Sequence, residues 1–377
     1  MKTQLKNKIR ALGIMNGTSL DGIDFVLIDV YPLKNLCRFV DMQSFSFHKK
    51  LHQQLKLATQ HQLKVNELAL LHHELGLFYA KCYQQLNIRM KKVDCLGLHG
   101  QTVFHAGGVA SLQIGEPSYL AAAAGRPVVS DFRVADIALG GQGAPLATLF
   151  HQYVFAQKNK VISLHNLGGI SNLSILKKDR VTQGFDTGPA NMLLDLAIQR
   201  FTFGKKQFDR DGELAKKGVA NSTVLKQMLK HKFFKIKPPK SCGREEFGEN
   251  FLDKYLNFFK SEKIENQLAT FVELVAISIA RSYAEFCDLK KIDEIIFCGG
   301  GAKNKFLLER IDYHLHQNKL SHRIKISTTD DYGWSSQSIE GGAFALLAAF
   351  KMLNWPSNLP QTTGALRQTS LGKIIEV

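Results

Sequence analysis

Residues 9 to 47 read as three consecutive strands, and within them Phe25-Val-Leu-Ile28 is apolar on both faces, as a central strand of a sheet is. Between Leu51 and Met90 the period changes to a helical one, with Leu68, Leu71, Leu75, Phe78 and Tyr79 recurring on one face. Val93-Asp-Cys-Leu-Gly-Leu98 then returns to strand. Strand endings next carry polar clusters: Leu98 runs into His99-Gly-Gln-Thr-Val-Phe-His105, and Pro127-Val-Val-Ser130 into Asp131-Phe-Arg-Val-Ala-Asp136. Open α/β sheets bind ligands beyond such strand ends. After the glycine-rich Leu139-Gly-Gly-Gln-Gly-Ala-Pro145 the pattern restarts with Val161-Ile-Ser-Leu-His165, a Gly168-Gly169 turn and a strand from Ile170 to Leu176. This second strand-turn-strand unit echoes the first and predicts two related domains facing each other, with hinge candidates at Gly140, Gly141 and Gly143. A long apolar helix, Leu268 to Leu289, the strand Glu294-Ile-Ile-Phe-Cys298, the turn Gly299-Gly-Gly-Ala302 and a helix from Asn304 follow. An Ala-rich helix over Ser336 to Leu353 closes the pattern.

Length and composition narrow this. At 377 residues with 45% hydrophobic content the chain suits two cores. No apolar run approaches the roughly 20 residues that span a bilayer, and the basic start lacks an apolar signal core, so a cytoplasmic protein with no membrane partner is expected. Six cysteines lie scattered without a Cys-x-x-Cys pair, which predicts free thiols and no zinc site. The net charge of +16 would fit a polyanion, but Lys and Arg are spread along the whole length, so no nucleic-acid partner is expected.

Candidate chemistry sits in the turns. In Gly13-Ile-Met-Asn-Gly-Thr-Ser-Leu-Asp-Gly-Ile-Asp24 the amides of Gly17, Thr18 and Ser19 can converge on an anion, with Asp21 and Asp24 facing a metal or its waters. An ordinary hairpin turn uses the same residue types. Strand, Gly299-Gly-Gly301, helix lets bare backbone lie against a nucleotide, or simply packs tightly. Neither a P-loop nor a Rossmann fingerprint is present. Gly184-Phe-Asp-Thr-Gly-Pro-Ala-Asn191 ends a strand and starts a helix, placing Asp186 at the tip as a general base or as a helix cap. His99, Gln101, Arg133 and Asp136 suit the hydroxyls and carboxylate of a sugar acid.

Taken in order, the first turn, His99 to His105, Asp131 to Asp136, Gly140-Gly-Gln-Gly-Ala-Pro145, Asn166-Leu-Gly-Gly-Ile-Ser-Asn172, Gly184 to Pro189, Pro238-Pro-Lys-Ser-Cys-Gly-Arg-Glu245 and Cys298-Gly-Gly-Gly-Ala-Lys-Asn304 resemble the anhydro-N-acetylmuramic acid kinases, from Gly13 to Ala348. The resemblance implies two α/β domains of the ribonuclease-H-like, actin/hexokinase/Hsp70 type with an ATP cleft between them. It implies domain I over 1–138 and 336–377, and domain II over 139–335. It assigns ATP to Gly17, Thr18, Ser19, Leu20, Asp21, Gly22, Ile23 and Asp24, to Asn166, Gly168 and Gly169, and to Gly299, Gly300, Gly301 and Asn304. Asp186 matches the catalytic base, His99, Gln101, Arg133 and Asp136 fall at sugar contacts, and Asp21 is the candidate Mg²⁺ ligand. The implied reaction opens the 1,6-anhydro bridge of 1,6-anhydro-N-acetylmuramic acid with water and phosphorylates O6, in peptidoglycan recycling, by a homodimer.

Three positions depart from the family pattern: Asn16 where serine is typical, Ala190 where glycine is typical, and Gly341 where alanine commonly follows Glu340. Two other readings stay open on the sequence: a sugar kinase of the same fold with another amino-sugar acceptor, and a non-catalytic actin-like nucleotide-binding protein.

Overall fold

A computed structural model describes residues 7–17, 20, 22–178, 180–259, 261–317 and 324–376. Its strands are β1 (Ile9–Asn16), β2 (Gly22–Tyr31), β3 (Leu36–Ser46), β4 (Cys95–Leu98), β5 (Gln101–Ala106), β6 (Ala110–Ile114), β7 (Val128–Ser130), β8 (Val161–Leu167), β9 (Ile170–Lys177), β10 (Arg180–Pro189), β11 (Glu294–Cys298) and β12 (Lys325–Thr328), followed by a short C-terminal strand, Lys373–Ile375. The chain divides into two compact units, one running to Phe155 and resuming at Gly333, the other spanning Ala156–Tyr332.

In the first unit β1, β2 and β3 form an antiparallel meander, and β4 and β7 add in parallel beside β1. The sheet order is C-terminal strand, β7, β4, β1, β2, β3. Phe25, Val26, Leu27 and Ile28 are wholly buried, because β2 lies inside the sheet and is covered on both faces. Each such side chain contributes roughly 2 kcal/mol by leaving water. One covering layer is the helix Ser338–Met352, which packs on β1, β2 and β4. Its approach is close because Gly13 on β1 and Gly97 on β4 leave room for helix backbone: a Cβ at Gly13 would lie 1.8 Å from the Gly341 carbonyl oxygen. The hairpin β5–β6 stands apart from this sheet.

The second unit repeats the plan. Strands β8, β9 and β10 are antiparallel, β11 joins β8 in parallel, and β12 follows, giving the order β10, β9, β8, β11, β12. Its core packs on the 23-residue helix Ile264–Phe286, whose Phe271, Leu274, Val275 and Ile279 are wholly buried. With the β5–β6 hairpin and the antiparallel C-terminal edge strand of the first unit set aside, the five remaining strands of each sheet run 3-2-1-4-5, the first three antiparallel and the last two parallel. That is the ribonuclease-H-like α/β topology of the actin/hexokinase/Hsp70 type.

The unit boundaries fall at 155/156, beyond the 138/139 expected from sequence, and at 332/333, just before the expected 335/336. The helix Thr148–Phe155 packs on β3 and on Ser338–Met352, and Trp334 lies edge-on to Phe39 and Phe150 at 5.6 and 4.9 Å. These aromatic contacts bind both segments into the first unit. Gly140, Gly141 and Gly143 therefore do not lie where the chain leaves that unit, and the hinge expectation is corrected. The Gly143 N–H donates to Asp136 Oδ2 at 2.9 Å, the Gly141 N–H to the Asp136 carbonyl at 2.9 Å, and the Gln142 N–H to the Thr363 carbonyl at 2.7 Å.

Candidate functional site

In the second unit the β8–β9 turn, the end of β10 and the segment after β11 come together. Asn166, the sixth residue of β8, pairs with Cys298 on β11, and Gly299 follows at φ +80°. A Cβ at Gly299 would lie 2.3 Å from Asn166 Oδ1 and 2.8 Å from the Leu167 carbonyl oxygen, so this position needs glycine twice over. Gly300 and Gly301 lie beside Asn191, whose Nδ2 donates to the Leu167 carbonyl at 2.8 Å. The turn carbonyls accept amides from the start of the helix Asn191–Phe201: Asn191 N–H donates to Gly168 at 3.0 Å, and Ala190 and Met192 N–H donate to Gly169, each at 3.1 Å. The phosphate-turn candidate is thus bonded directly to the chain that carries Asp186. Asn304 caps the helix Lys305–His316, its Oδ1 accepting the Leu307 N–H at 3.0 Å.

Asp186 lies where β10 slips register against β9, between Asp186 and Gly188. Its Oδ2 accepts the Cys242 N–H at 2.9 Å, and its own N–H donates to the Lys240 carbonyl at 3.1 Å. Burial raises its carboxyl to about 7, a push that the Cys242 amide and the Lys240 ammonium oppose and Glu245 reinforces. The side chain does not cap the following helix, whose cap position is Ala190 with no side-chain bond. A buried hydrogen-bond chain supports the slipped strand from beneath. Thr187 Oγ1 donates to Ser171 Oγ (2.7 Å), which bonds His165 Nε2 (2.6 Å), while His165 Nδ1 meets Tyr283 Oη (2.9 Å) and that hydroxyl meets Ser163 Oγ (2.6 Å). Burial takes His165 down to about 3, so the chain runs through a neutral imidazole.

In the first unit the turn after β1 occupies the equivalent place in the topology. The Leu20 N–H donates to the Gly17 carbonyl at 3.2 Å, and Gly22 and Ile23 open β2 opposite Ser46 and Phe45. Thr18, Ser19 and Asp21 lie outside the described residues. Asp24 accepts the Ser44 hydroxyl at 2.5 Å, and burial raises its carboxyl above the ordinary range. Glu340, in the first turn of Ser338–Met352, is raised by burial too, with Arg133 opposing and Asp24 reinforcing. Arg133 donates from Nη2 to His99 Nε2 at 2.9 Å and from Nη1 to the Gly143 carbonyl at 2.8 Å. Burial lowers it to about 10. The proton of His99 therefore sits on Nδ1, which donates to the Gly100 carbonyl at 2.8 Å; burial and Arg133 keep the ring neutral, and it stacks on Phe344 at 4.4 Å. Buried Gln101 Oε1 and Arg133 Nε have no hydrogen-bond partner among the described residues, which leaves an acceptor and a donor for a polar ligand.

The model of the family "Anhydro-N-acetylmuramic acid kinase" matches residues 9–377. The chain belongs to this family. An anhydro-N-acetylmuramic acid kinase of Caldanaerobacter subterraneus subsp. tengcongensis is 36% identical over 392 residues, covering 98% of this chain and 97% of its own. One of Crocosphaera subtropica is 38% identical over 381 residues, covering 96% and 98%. Among solved structures, an activator of 2-hydroxyisocaproyl-CoA dehydratase from Clostridium difficile aligns with 90% of this chain and 94% of its own, at 12% identity and a TM-score of 0.43.

Of the sugar-contact residues expected for this kinase, Gln101 and Arg133 each keep one unpartnered polar atom, His99 has both ring nitrogens engaged, and Asp136 is turned into the protein. It is wholly buried, and its oxygens accept the Gly143 N–H, Asn358 Nδ2 at 2.9 Å and Thr363 Oγ1 at 2.8 Å. It braces the 140–143 loop against the C-terminal segment. Asp136→Ala should cost about 3 kcal/mol in chemical denaturation, because three buried donors lose their acceptor; an unchanged midpoint would return Asp136 to the ligand contacts. Residues with no assigned role in the sequence reading are Glu340, Lys240 and Cys242. A carboxylate opening an otherwise apolar helix is the signal that could have found Glu340. Of the departures, Ala190 is buried at φ −136° and ψ −122°, and Asn16 is held through Oδ1 by the Tyr79 hydroxyl at 3.0 Å.

Proposed function

We propose that this ATP-dependent kinase of peptidoglycan recycling uses Asp186 to open 1,6-anhydro-N-acetylmuramic acid and passes the freed O6 to the γ-phosphate. The observation that carries the assignment is a buried carboxyl with its proton affinity near neutrality, held on backbone that is bonded to the Gly168-Gly169 turn. Its ionised form takes a proton from water as that water attacks C1; the C1–O6 bond breaks, and O6 attacks the γ-phosphorus, releasing ADP and N-acetylmuramic acid 6-phosphate. Asn166, Gly168 and Gly169, Gly299 to Gly301, and the Gly17 to Asp24 turn supply phosphate and adenosine contacts. His99, Gln101 and Arg133 orient the sugar acid, Arg133 through its unpartnered Nε.

Mg²⁺ bound mainly by phosphate oxygens asks the protein for only one or two carboxylates. Among the described residues no group of three His, Cys, Asp or Glu side chains gathers, but Asp24 and Glu340 are half-buried carboxyls whose proton affinity burial raises, and Asp24 raises that of Glu340 further, a donor set that a cation would relieve. Asp24, with Asp21, would hold the ion, which when bound offsets phosphate charge. We place the enzyme in the cytoplasm as a homodimer. Six free cysteines fit a reducing compartment, and light scattering tests the dimer. No helix among the described residues is long and apolar enough to cross a membrane.

The test is ADP release from ATP and Mg²⁺ with 1,6-anhydro-N-acetylmuramic acid or free N-acetylmuramic acid as acceptor. Fast turnover is expected with the anhydro sugar only, and its kcat should fall as pH drops below about 7, where Asp186 gains its proton. Equal turnover with both sugars would make the enzyme an ordinary sugar kinase.

A further inference from the structure

The motif Pro238-Pro-Lys-Ser-Cys-Gly-Arg-Glu245 contains a lysine with an unusual environment. Lys240 is only 9% exposed, and its Nζ lies 4.6 Å from the ring centroids of both Phe233 and Phe286 and 5.9 Å from that of Phe185. The Phe233 carbonyl oxygen is 3.5 Å away. The three rings come from β10, from the turn Lys232–Lys235 and from the end of the helix Ile264–Phe286. A cage of ring faces attracts a desolvated ammonium through the ring quadrupoles, a stabilisation that an apolar side chain in the same space would not gain.

The backbone of this lysine also grips the candidate base from two sides. The Lys240 carbonyl accepts the Asp186 N–H, and two residues later the Cys242 N–H donates to the Asp186 carboxylate. Phe185, one wall of the cage, is the residue before Asp186. We propose that Lys240 is a positioning residue for the base, its caged ammonium fixing the 240–242 backbone that holds the Asp186 carboxylate. The role rests on the reading of Asp186 as base.

The charge has a second effect. The Lys240 ammonium draws the Asp186 carboxyl downward against burial, and Glu245 pushes it upward. Around these groups, burial raises the Cys242 thiol, which stays neutral, and Glu285, Lys232 and Lys235 are exposed. Burial lowers the proton affinity of Lys240 itself, while Cys242, Glu285 and Asp186 raise it. Removing the ammonium should therefore move the acid limb of kcat to higher pH, an effect that packing alone would not produce.

The experiment compares Lys240→Met, Lys240→Arg and Phe286→Leu with wild type in kcat, KM for ATP, the pH profile of kcat and thermal midpoint. Lys240→Met should lose about tenfold in kcat at pH 7, recover part of it at pH 9 and keep its KM for ATP. Lys240→Arg keeps the charge, so its acid limb should stay at the wild-type pH. Phe286→Leu weakens the cage without removing charge and should lower kcat about threefold with the limb unmoved. A Lys240→Met enzyme with wild-type kcat and limb, changed only in thermal midpoint, would overturn the proposal. If Lys240→Met does not fold, wild-type kcat in Phe286→Leu would do the same. Asp186→Asn separates the two readings: wild-type turnover there removes the base assignment, whereas an inactive Asp186→Asn beside unaffected Lys240 variants removes only the positioning role.

Discussion

Asp186→Asn is expected to lower kcat about 10³-fold while leaving the KM for ATP near its wild-type value, since a positioned general base contributes 10²–10⁴-fold. The substitution keeps the shape of the side chain, and asparagine Oδ1 can still accept the Cys242 N–H that now holds Asp186 Oδ2. The residual rate should lose the acid limb near pH 7, because the group that titrates there is gone. Stability should move the other way. The folded carboxyl binds its proton at about 7 against an ordinary value of 3.8, so its contribution is fully present below about pH 4 and is lost as pH rises through 7. At pH 8 the wild type buries an ionised carboxylate and the variant does not. Asp186→Asn should therefore melt higher than wild type at pH 8, with the gap closing as pH falls toward 4. A variant that retains wild-type kcat would remove Asp186 from the chemistry; one that loses activity and also melts lower at pH 8 would point to a structural role.

The sequence carries the fold most plainly where one element decides its own environment. Phe25 to Ile28 is apolar at every position and lies inside its sheet, and the polar turns after β1 and β8 occur at the same point of a repeated topology. The echo between those turns is legible because a strand-turn-strand unit is short and local. Asp136 shows the limit. It follows a strand end beside Arg133, as a ligand contact would, yet its partners Asn358 and Thr363 stand 222 and 227 positions away in the chain. The same long-range bracing holds Gly140 to Gly143, whose composition suggests a hinge. Lys240 is similar: the motif around it is visible in the chain, but its ring partners arrive from 185, 233 and 286. Residue type and local spacing place Asp186 at a strand tip; only the fold supplies the burial that sets its proton affinity.

Gly13→Ala should give the largest loss of stability of any single methyl addition argued from this fold, about 3 kcal/mol or more, or roughly 10 °C in the thermal midpoint. The added Cβ would stand 1.8 Å from the Gly341 carbonyl oxygen and 2.8 Å from the Ala345 nitrogen, both backbone atoms of the helix Ser338–Met352. No rotamer change relieves such a contact, so the helix must move off β1. Gly97 makes the neighbouring approach, its own Cβ direction meeting the Phe344 carbonyl at 2.2 Å, so the helix cannot pivot about that point without losing a second close contact. Movement of this helix carries Glu340, next to Gly341, away from Arg133, so turnover should fall together with stability. Gly341→Ala provides the control. Its Cβ would meet Val26 Cγ2 at 2.5 Å and Val26 Cβ at 3.0 Å, a side chain rather than backbone. Val26→Ala should rescue Gly341→Ala, where alanine also has the better helix propensity, and should leave Gly13→Ala unrescued. Thermal unfolding of the four variants decides it: a Gly13→Ala protein melting with the wild type would mean that the helix does not rest on β1 as closely as these contacts require.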